Sequence, residues 1–380
     1  MKSQSLLAVD FGSTKIACAL ALRRADAPDG YELLGTGLSR YPADSDGWPC
    51  EPTVLADTLE RALDELGSWE LPDRAIVTLS HPQLWHHVVT AQIDLASEPV
   101  PVRQRELHRL QAQAVAQALG IDREVLALEP LGYDGNGFQG VRDPRGLAAT
   151  RLRGTFGLVA VPLAARRAMT RALETLGLEG ERPIYGVHAV AAACPPSAAS
   201  SGSRRLVIDF GGWSTDIALF EGDTMLRTHT LAWGGMSLAR AIAAAMRVTP
   251  EQALALSLEG LTSSKPGVRP MIEQQLETLR EHLTAIAQGD TRPDTAIVTG
   301  GSALIDGIVE WTESALQVPT SLGRSRHAQR CGELSRQLGL TAALGAIDRA
   351  CVHPASLKSR APHLLNRLVQ GTKYLLTEYF

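Results

Sequence analysis

Short apolar blocks alternate with polar turns along the chain, and their spacing predicts β-strands more often than helices in the first forty residues. Leu6 to Val9 is an apolar run, followed by the turn Asp10-Phe11-Gly12-Ser13-Thr14-Lys15. Ile16 to Leu22 then reads as the second strand of a hairpin, Asp26 to Gly30 as a turn, and Tyr31 to Leu38 as a third strand. Leu55, Leu59, Ala62, Leu63 and Leu66 fall at helical spacing and predict a helix over Val54 to Leu66, with a further strand at Arg74 to Ser80. The same β-β-β-α-β order returns in the second half: Leu206 to Ile208, Ile217 to Phe220, Met225 to Leu231, a helix from Ser237 to Met246, and the strand Ala296 to Thr299. Internal duplication at this scale is the strongest organisational signal in the chain.

Two stretches fall outside the duplicated pattern. His81 to Val161 alternates apolar and polar positions from Leu84 to Ile93, then carries a helical pattern from Gln104 to Leu119 closed by Gly120, then two more strand-like stretches. A small inserted domain with one helix and about three strands is expected there. Arg247 to Asp294 reads as a second, mostly helical insertion, with Met271 to Ala287 its clearest helix. Pro195 to Ser203 reads as a short joint ahead of the second copy.

The last seventeen residues have their own pattern. Leu364, Leu365, Leu368, Val369, Leu375, Leu376, Tyr379 and Phe380 occupy an arc of about 160° at 100° per residue, and polar residues fill the rest. Such a helix, about 25 Å long at ~1.5 Å per residue, suits the membrane interface. Half-burying its eight apolar side chains contributes on the order of 5–10 kcal/mol before the cost of ordering the helix. Residues 353–363, containing Pro362, Lys358 and Arg360, read as a linker.

Composition narrows the class. The chain has 380 residues, 44% hydrophobic and 21% charged, enough for several compact units. A net charge of −4, with no basic run interleaved with aromatics, gives no electrostatic footprint for nucleic acid. The five cysteines are widely spaced and form no Cys-x-x-Cys pair, which points to a reduced, cytosolic compartment and not to a zinc site. The N-terminus shows no signal-peptide layout, and no segment reaches the ~20 apolar residues that span a bilayer.

The chemistry lies in the repeated turn. Asp10-Phe11-Gly12-Ser13-Thr14-Lys15-Ile16-Ala17 returns as Asp209-Phe210-Gly211-Gly212-Trp213-Ser214-Thr215-Asp216-Ile217-Ala218. Glycine lets backbone approach an anion, and peptide N–H groups and hydroxyls bind phosphate oxygens. Aspartate beside phosphate calls for a divalent cation between them. Two such turns facing one another predict a Mg-nucleotide between related domains. The protein-kinase reading of Asp-Phe-Gly fails, since no His-Arg-Asp loop precedes either copy, and no Walker-type Gly-x-x-x-x-Gly-Lys is present. A third glycine motif, Ala296-Ile297-Val298-Thr299-Gly300-Gly301-Ser302, reads as a strand, a double glycine and a helix start, where free N–H groups favour phosphate.

In this order the three motifs resemble the actin, Hsp70 and sugar-kinase superfamily, and most closely the FtsA family of bacterial cell-division proteins. The resemblance extends to Val141-Arg142-Asp143-Pro144-Arg145-Gly146-Leu147 with Arg151, similar to the end of that family's inserted subdomain, and to Thr341-Ala342-Ala343-Leu344-Gly345 and Gly186 to Ala193, which stand where the inter-domain connections lie. It implies an α/β, actin-like duplicated ATPase fold: a first lobe over 1–80, 162–203 and 335–352, an SHS2-type subdomain over 81–161, a second lobe over 204–334 with a helical part at 236–294, then linker and tail.

By the same resemblance Ser13, Thr14 and Lys15 bind phosphates of ATP from one side, with Gly12 in the turn, and Gly211, Gly212, Trp213 and Ser214 from the other. Asp10 and Asp209 hold Mg²⁺ through water, and Gly300, Gly301 and Ser302 flank the adenosine. Trp213 replaces the family's usual third glycine. No residue stands out as a hydrolytic base, and His188 reads as a packed core residue, so slow ATP hydrolysis at most is expected. The implied role is a peripheral adaptor on the cytoplasmic face of the membrane in septum formation: it polymerises, recruits division proteins, and binds the C-terminal peptide of FtsZ near Lys265, Arg269 and Arg280. A pilus-assembly adaptor resembling PilM, or a sugar or acetate kinase, is the alternative.

Overall fold

The computed structural model describes residues 5–27, 29–42, 47–195, 202–261, 267–287 and 292–352. The linker and the tail, with its membrane-facing residues from Leu364 to Phe380, lie outside the described residues, as do Lys265 and part of the joint at 195–203. The chain divides into two compact units, one formed by Met1–Leu84 and Val161–Val352, the other built around Trp85–Ala160.

The first unit contains the duplicated modules. β1 (Ser5–Phe11), β2 (Lys15–Arg23), β3 (Tyr31–Arg40), α1 (Pro52–Asp64) and β4 (Arg74–Leu79) build the first. From Leu6 to Phe11 every residue of β1 is buried, the mark of a strand covered on both faces. It therefore runs in the sheet interior, antiparallel to β2 and parallel to β4.

The other unit is the inserted one: β5 (Trp85–Asp94), β6 (Val100–Pro101), α2 (Gln104–Ala118), β7 (Arg123–Gly135), β8 (Phe138–Val141), β9 (Ala148–Ala149) and β10 (Arg151–Pro162). Its main sheet has the order β5-β10-β7-β8, and β6 pairs with β9 in a separate ribbon. The expectation of about three strands is too low. Val100–Pro101 and Ala148–Ala149 are two residues each, too short to show an alternation. Val89, Ala91 and Ile93 of β5 pack with Leu107, Leu110 and Ala114 of α2, and Tyr133 meets Phe156 edge-on at 5.8 Å.

The chain returns to the first unit with α3 (Leu163–Thr175), β11 (Glu179–Gly180), β12 (Ile184–Tyr185) and α4 (Gly186–Ala193). Both short strands extend the first sheet alongside β4, giving the path β11-β4-β1-β2-β3 with β12 also on β4. The second module follows: β13 (Arg204–Phe210), β14 (Thr215–Glu221), β15 (Thr224–Leu231), α5 (Gly235–Met246), α6 (Pro250–Leu258), α7 (Arg269–Ala287), β16 (Thr295–Thr299), α8 (Ile308–Leu316) and β17 (Thr320–Leu322). Its sheet order, β15-β14-β13-β16-β17, repeats the first, with β13 antiparallel to β14 and parallel to β16. In α7, Ile272, Leu276, Leu279, Leu283 and Ile286 form one buried stripe at alternating spacings of four and three.

α9 (Leu334–Gly339) and α10 (Thr341–Val352) close the unit. α10 crosses α4 closely enough that a Cβ at Gly345 would lie 1.8 Å from the Ala189 carbonyl oxygen. Only glycine permits this crossing, because backbone, unlike a side-chain tip, cannot turn aside. Gly345→Ala is expected to destabilise the protein by on the order of 1–3 kcal/mol through overpacking, read as a lower urea midpoint with unchanged slope.

Candidate nucleotide site

Each central strand delivers its aspartate one residue before its end. In the first lobe Asp10 pairs with Ala17 and Phe11 with Ile16, and the turn is closed by the Gly12 N–H donating to the Lys15 carbonyl at 3.0 Å. In the second, Asp209 pairs with Asp216 and Phe210 with Thr215, and the Gly211 N–H donates to the Ser214 carbonyl at 2.9 Å. The duplication reaches the parallel neighbours: Thr78 lies beside Asp10 and Thr299 beside Asp209. By this register Lys15 corresponds to Ser214, so one turn brings a cation where the other brings a hydroxyl.

The turns meet face to face. The Trp213 N–H donates to Ser13 Oγ at 3.1 Å, and a Cβ at Gly212 would lie 2.1 Å from Thr14 Cγ2. Beside this contact lies a cavity of about 310 Å³ lined by, among others, Asp10, Lys15, Asp209, Asp216, Gly301 and Arg336. Small-molecule sites typically span roughly 300–1,000 Å³.

Carboxylates dominate its electrostatics. Asp10 is buried, accepts from the Thr78 hydroxyl at 2.7 Å, and has Lys15 Nζ at 3.4 Å. Asp216 is buried and accepts from the Tyr185 hydroxyl at 3.1 Å and from Thr230. Burial nevertheless pushes its carboxyl up to about 6, against these hydroxyl donors. Asp209 is pushed up to about 7, by desolvation first, then by Asp216, with Lys15 pulling the other way. Lys15 and the hydroxyl donors thus compensate Asp209 and Asp216 only in part.

The residues expected to bind phosphate are largely brought together. Gly12, Ser13, Thr14 and Lys15 line the cavity with Asp209, Gly211, Gly212 and Ser214. Trp213 does not line it; its backbone N–H is turned to Ser13, while its indole lies under the Arg240 guanidinium, 4.5 Å from Cζ to ring centroid. The indole therefore does not crowd the cavity. Gly300, Gly301 and Ser302 also line it. Gly300 has φ +87°, and a Cβ there would fall 2.2 Å from Asp209 Oδ1 and 2.5 Å from the Phe210 carbonyl oxygen. The Ser302 hydroxyl donates to the Gly211 carbonyl at 2.7 Å and accepts from the Gly235 N–H at 2.9 Å, so it braces the second turn.

A helix start at the third glycine motif is not observed. Gly301–Leu304 is a 3₁₀ turn that ends where Ile305 turns extended, and the α-helix begins only at Ile308, after Gly307 at φ +80°. The N–H groups of an α-helix start come instead from Gly235 and Met236, which donate to the Gly211 and Gly212 carbonyls at 3.2 and 2.9 Å. The double glycine Gly234-Gly235 between β15 and α5 was the legible signal for this, since it repeats the strand-glycine-glycine pattern of Thr299-Gly300-Gly301.

His188 is buried between Tyr185 and Phe220, both edge-on, and burial lowers its pKa to about 3. It is a neutral packed ring. Arg269 and Arg280 of α7 pair with Glu273 at 2.8 Å and Glu277 at 3.1 Å on their own helix, and the Arg280 guanidinium also lies over the Trp311 ring at 5.6 Å.

Residues 206–345 match the family described as cell division protein FtsA, and residues 82–160 match the SHS2 domain inserted in FtsA. Cell division protein FtsA of Agrobacterium fabrum is 22% identical over 367 residues, covering 85% of this chain and 82% of that protein. The Pseudomonas aeruginosa protein of the same name is 25% identical over 355 residues, covering 84% and 82%. Among solved structures, the PilM–PilN type IV pilus biogenesis complex superposes with a TM-score of 0.69 at 17% identity, covering 91% of this chain and 98% of that one. MreB5 of Spiroplasma citri bound to AMPPNP gives 0.52 at 11%, covering 93% and 97%. The duplicated sheets and facing turns accordingly define an actin-like ATPase fold with an inserted SHS2 unit. Within that class, the two matched domains and the full-length relatives place the chain in the FtsA family.

The raised carboxyls give a pH test. Asp209 and Asp216 hold protons to higher pH folded than unfolded, where aspartate titrates near ~3.9. Between these limits the native state binds more protons, so their contribution to stability falls as pH rises. Without ligand, wild type is expected to lose more urea stability between pH 5 and pH 8 than Asp209→Asn; equal losses would contradict the assignment.

Proposed function

We propose that the chain is an ATP-binding, actin-like adaptor of bacterial cell division that holds the FtsZ polymer to the cytoplasmic face of the membrane. The observation that carries this reading is the pair of acid-glycine-hydroxyl turns opposed across one cavity, in a chain of the FtsA family. Ser13, Thr14 and Lys15 act on phosphates from one lobe, and Gly211, Gly212 and Ser214 from the other. Gly300 and Gly301 lie against the nucleoside.

The carboxylate-rich wall fits a divalent cation. Asp10 and Asp209, both on the cavity wall, would hold Mg²⁺ through water. Bound Mg²⁺ supplies the charge neutralisation that phosphate needs beside these acids. His188, buried and neutral, is not a hydrolytic base, and nucleotide serves to fix lobe closure and polymer competence with slow turnover at most.

Membrane attachment rests on the sequence pattern of residues 364–380. One copy of such a helix binds weakly, and a polymer multiplies it. The FtsZ peptide is assigned to the helical part at 236–294, and other division proteins are recruited to the assembled polymer. Removing residues 364–380, or placing glutamates at Leu368 and Leu376, is expected to abolish co-sedimentation with anionic liposomes while ATP binding is retained. Undiminished sedimentation would remove the tether role, and rapid sugar-dependent ATP turnover would replace it with a kinase.

A further inference from the structure

Trp213 sits between two residues that line the cavity, Gly212 and Ser214, yet is absent from its wall. The turn is held from behind by α5. The Gly211 carbonyl accepts from the Gly235 N–H at 3.2 Å and from the Ser302 hydroxyl at 2.7 Å, and the Gly212 carbonyl accepts from the Met236 N–H at 2.9 Å. Its carbonyls thus face α5, while the Trp213 N–H faces the opposite lobe and donates to Ser13 Oγ at 3.1 Å. One turn further along α5, Arg240 lays its guanidinium on the indole at 4.5 Å, inside the ~6 Å reach of a cation–π contact.

We propose that Arg240 is a positioning residue for the nucleotide site: by clasping the Trp213 indole against α5, it keeps the bulkiest side chain of the turn out of the phosphate end and leaves the Trp213 N–H on Ser13 Oγ. The inference rests on the reading of the cavity as a nucleotide site. Rotated the other way, the indole enters a cavity of about 310 Å³ whose wall its two sequence neighbours form. The clasp thus turns a residue that obstructs into one that contributes only its backbone. The bond from the position-213 N–H to Ser13 needs no side chain there, so the clasp is needed only while the indole is present.

That dependence supplies the test. Affinity for the fluorescent nucleotide mant-ATP with Mg²⁺ is measured for wild type, Arg240→Ala, Trp213→Ala and the double variant. Position 213 has no positive φ, so alanine fits the turn. Loss of an exposed cation–π contact corresponds to roughly twofold to fivefold. Arg240→Ala is expected to weaken binding by about fivefold in the wild-type background and by less than twofold when Trp213 is already alanine. Equal losses in both backgrounds would show that Arg240 acts on phosphate by charge alone and would overturn the proposal. Acrylamide quenching of the ligand-free proteins reads the clasp independently of nucleotide. Arg240→Ala should expose tryptophan emission that is absent from the double variant, and unchanged quenching would also overturn it. If wild type binds no mant-ATP while quenching responds as expected, it is the nucleotide reading that fails and not the clasp.

Discussion

Three carboxylates converging on one cavity form the constraint on which the rest of the structure depends. Asp10, Asp209 and Asp216 arrive there because two sheets of identical strand order end their central hairpins at the same place. Such a cluster cannot be fully ionised in a desolvated cleft without compensation. Lys15 at 3.4 Å from Asp10 and hydroxyls from Thr78, Tyr185 and Thr230 supply part of it, and Asp209 and Asp216 remain raised. The protein's own groups thus leave these two carboxyls only partly compensated.

The same groups tie the lobes to each other. Tyr185 on β12 belongs to the first lobe and bonds Asp216 on β14 of the second. Arg205 of β13 donates to the Ala191 carbonyl at 2.8 Å and to the Cys194 carbonyl, satisfying the C-terminal end of α4. The Gly345 crossing keeps α10 against that helix. Short, buried contacts therefore join the lobes beside the cavity wall.

Much of this was legible in the sequence, for identifiable reasons. Strands β1 and β13 are apolar runs followed by Asp-Phe-Gly, and the repeat of that turn exposes the duplication without any comparison. The stripe of α7 follows from its spacing alone. Tertiary geometry decided the rest. The helix expected after Gly300-Gly301 is a 3₁₀ turn that Ile305 ends by turning extended, and the Ser302 hydroxyl is engaged by the Gly211 carbonyl and Gly235 N–H. Gly234-Gly235 carries the same double-glycine pattern as Gly300-Gly301, and its Gly235 N–H reaches the second turn. The direction of the Trp213 indole depends on Arg240, 27 positions on, a pairing that no local rule predicts.

The most direct test is calorimetric titration of the full chain with ATP, with and without Mg²⁺, alongside Asp209→Asn. The account predicts saturable one-to-one binding in Mg²⁺, weakened at least tenfold when Mg²⁺ is withheld or Asp209 is neutralised, a difference of about 1.4 kcal/mol. Absence of saturable binding with Mg²⁺, or binding indifferent to both changes, would contradict it.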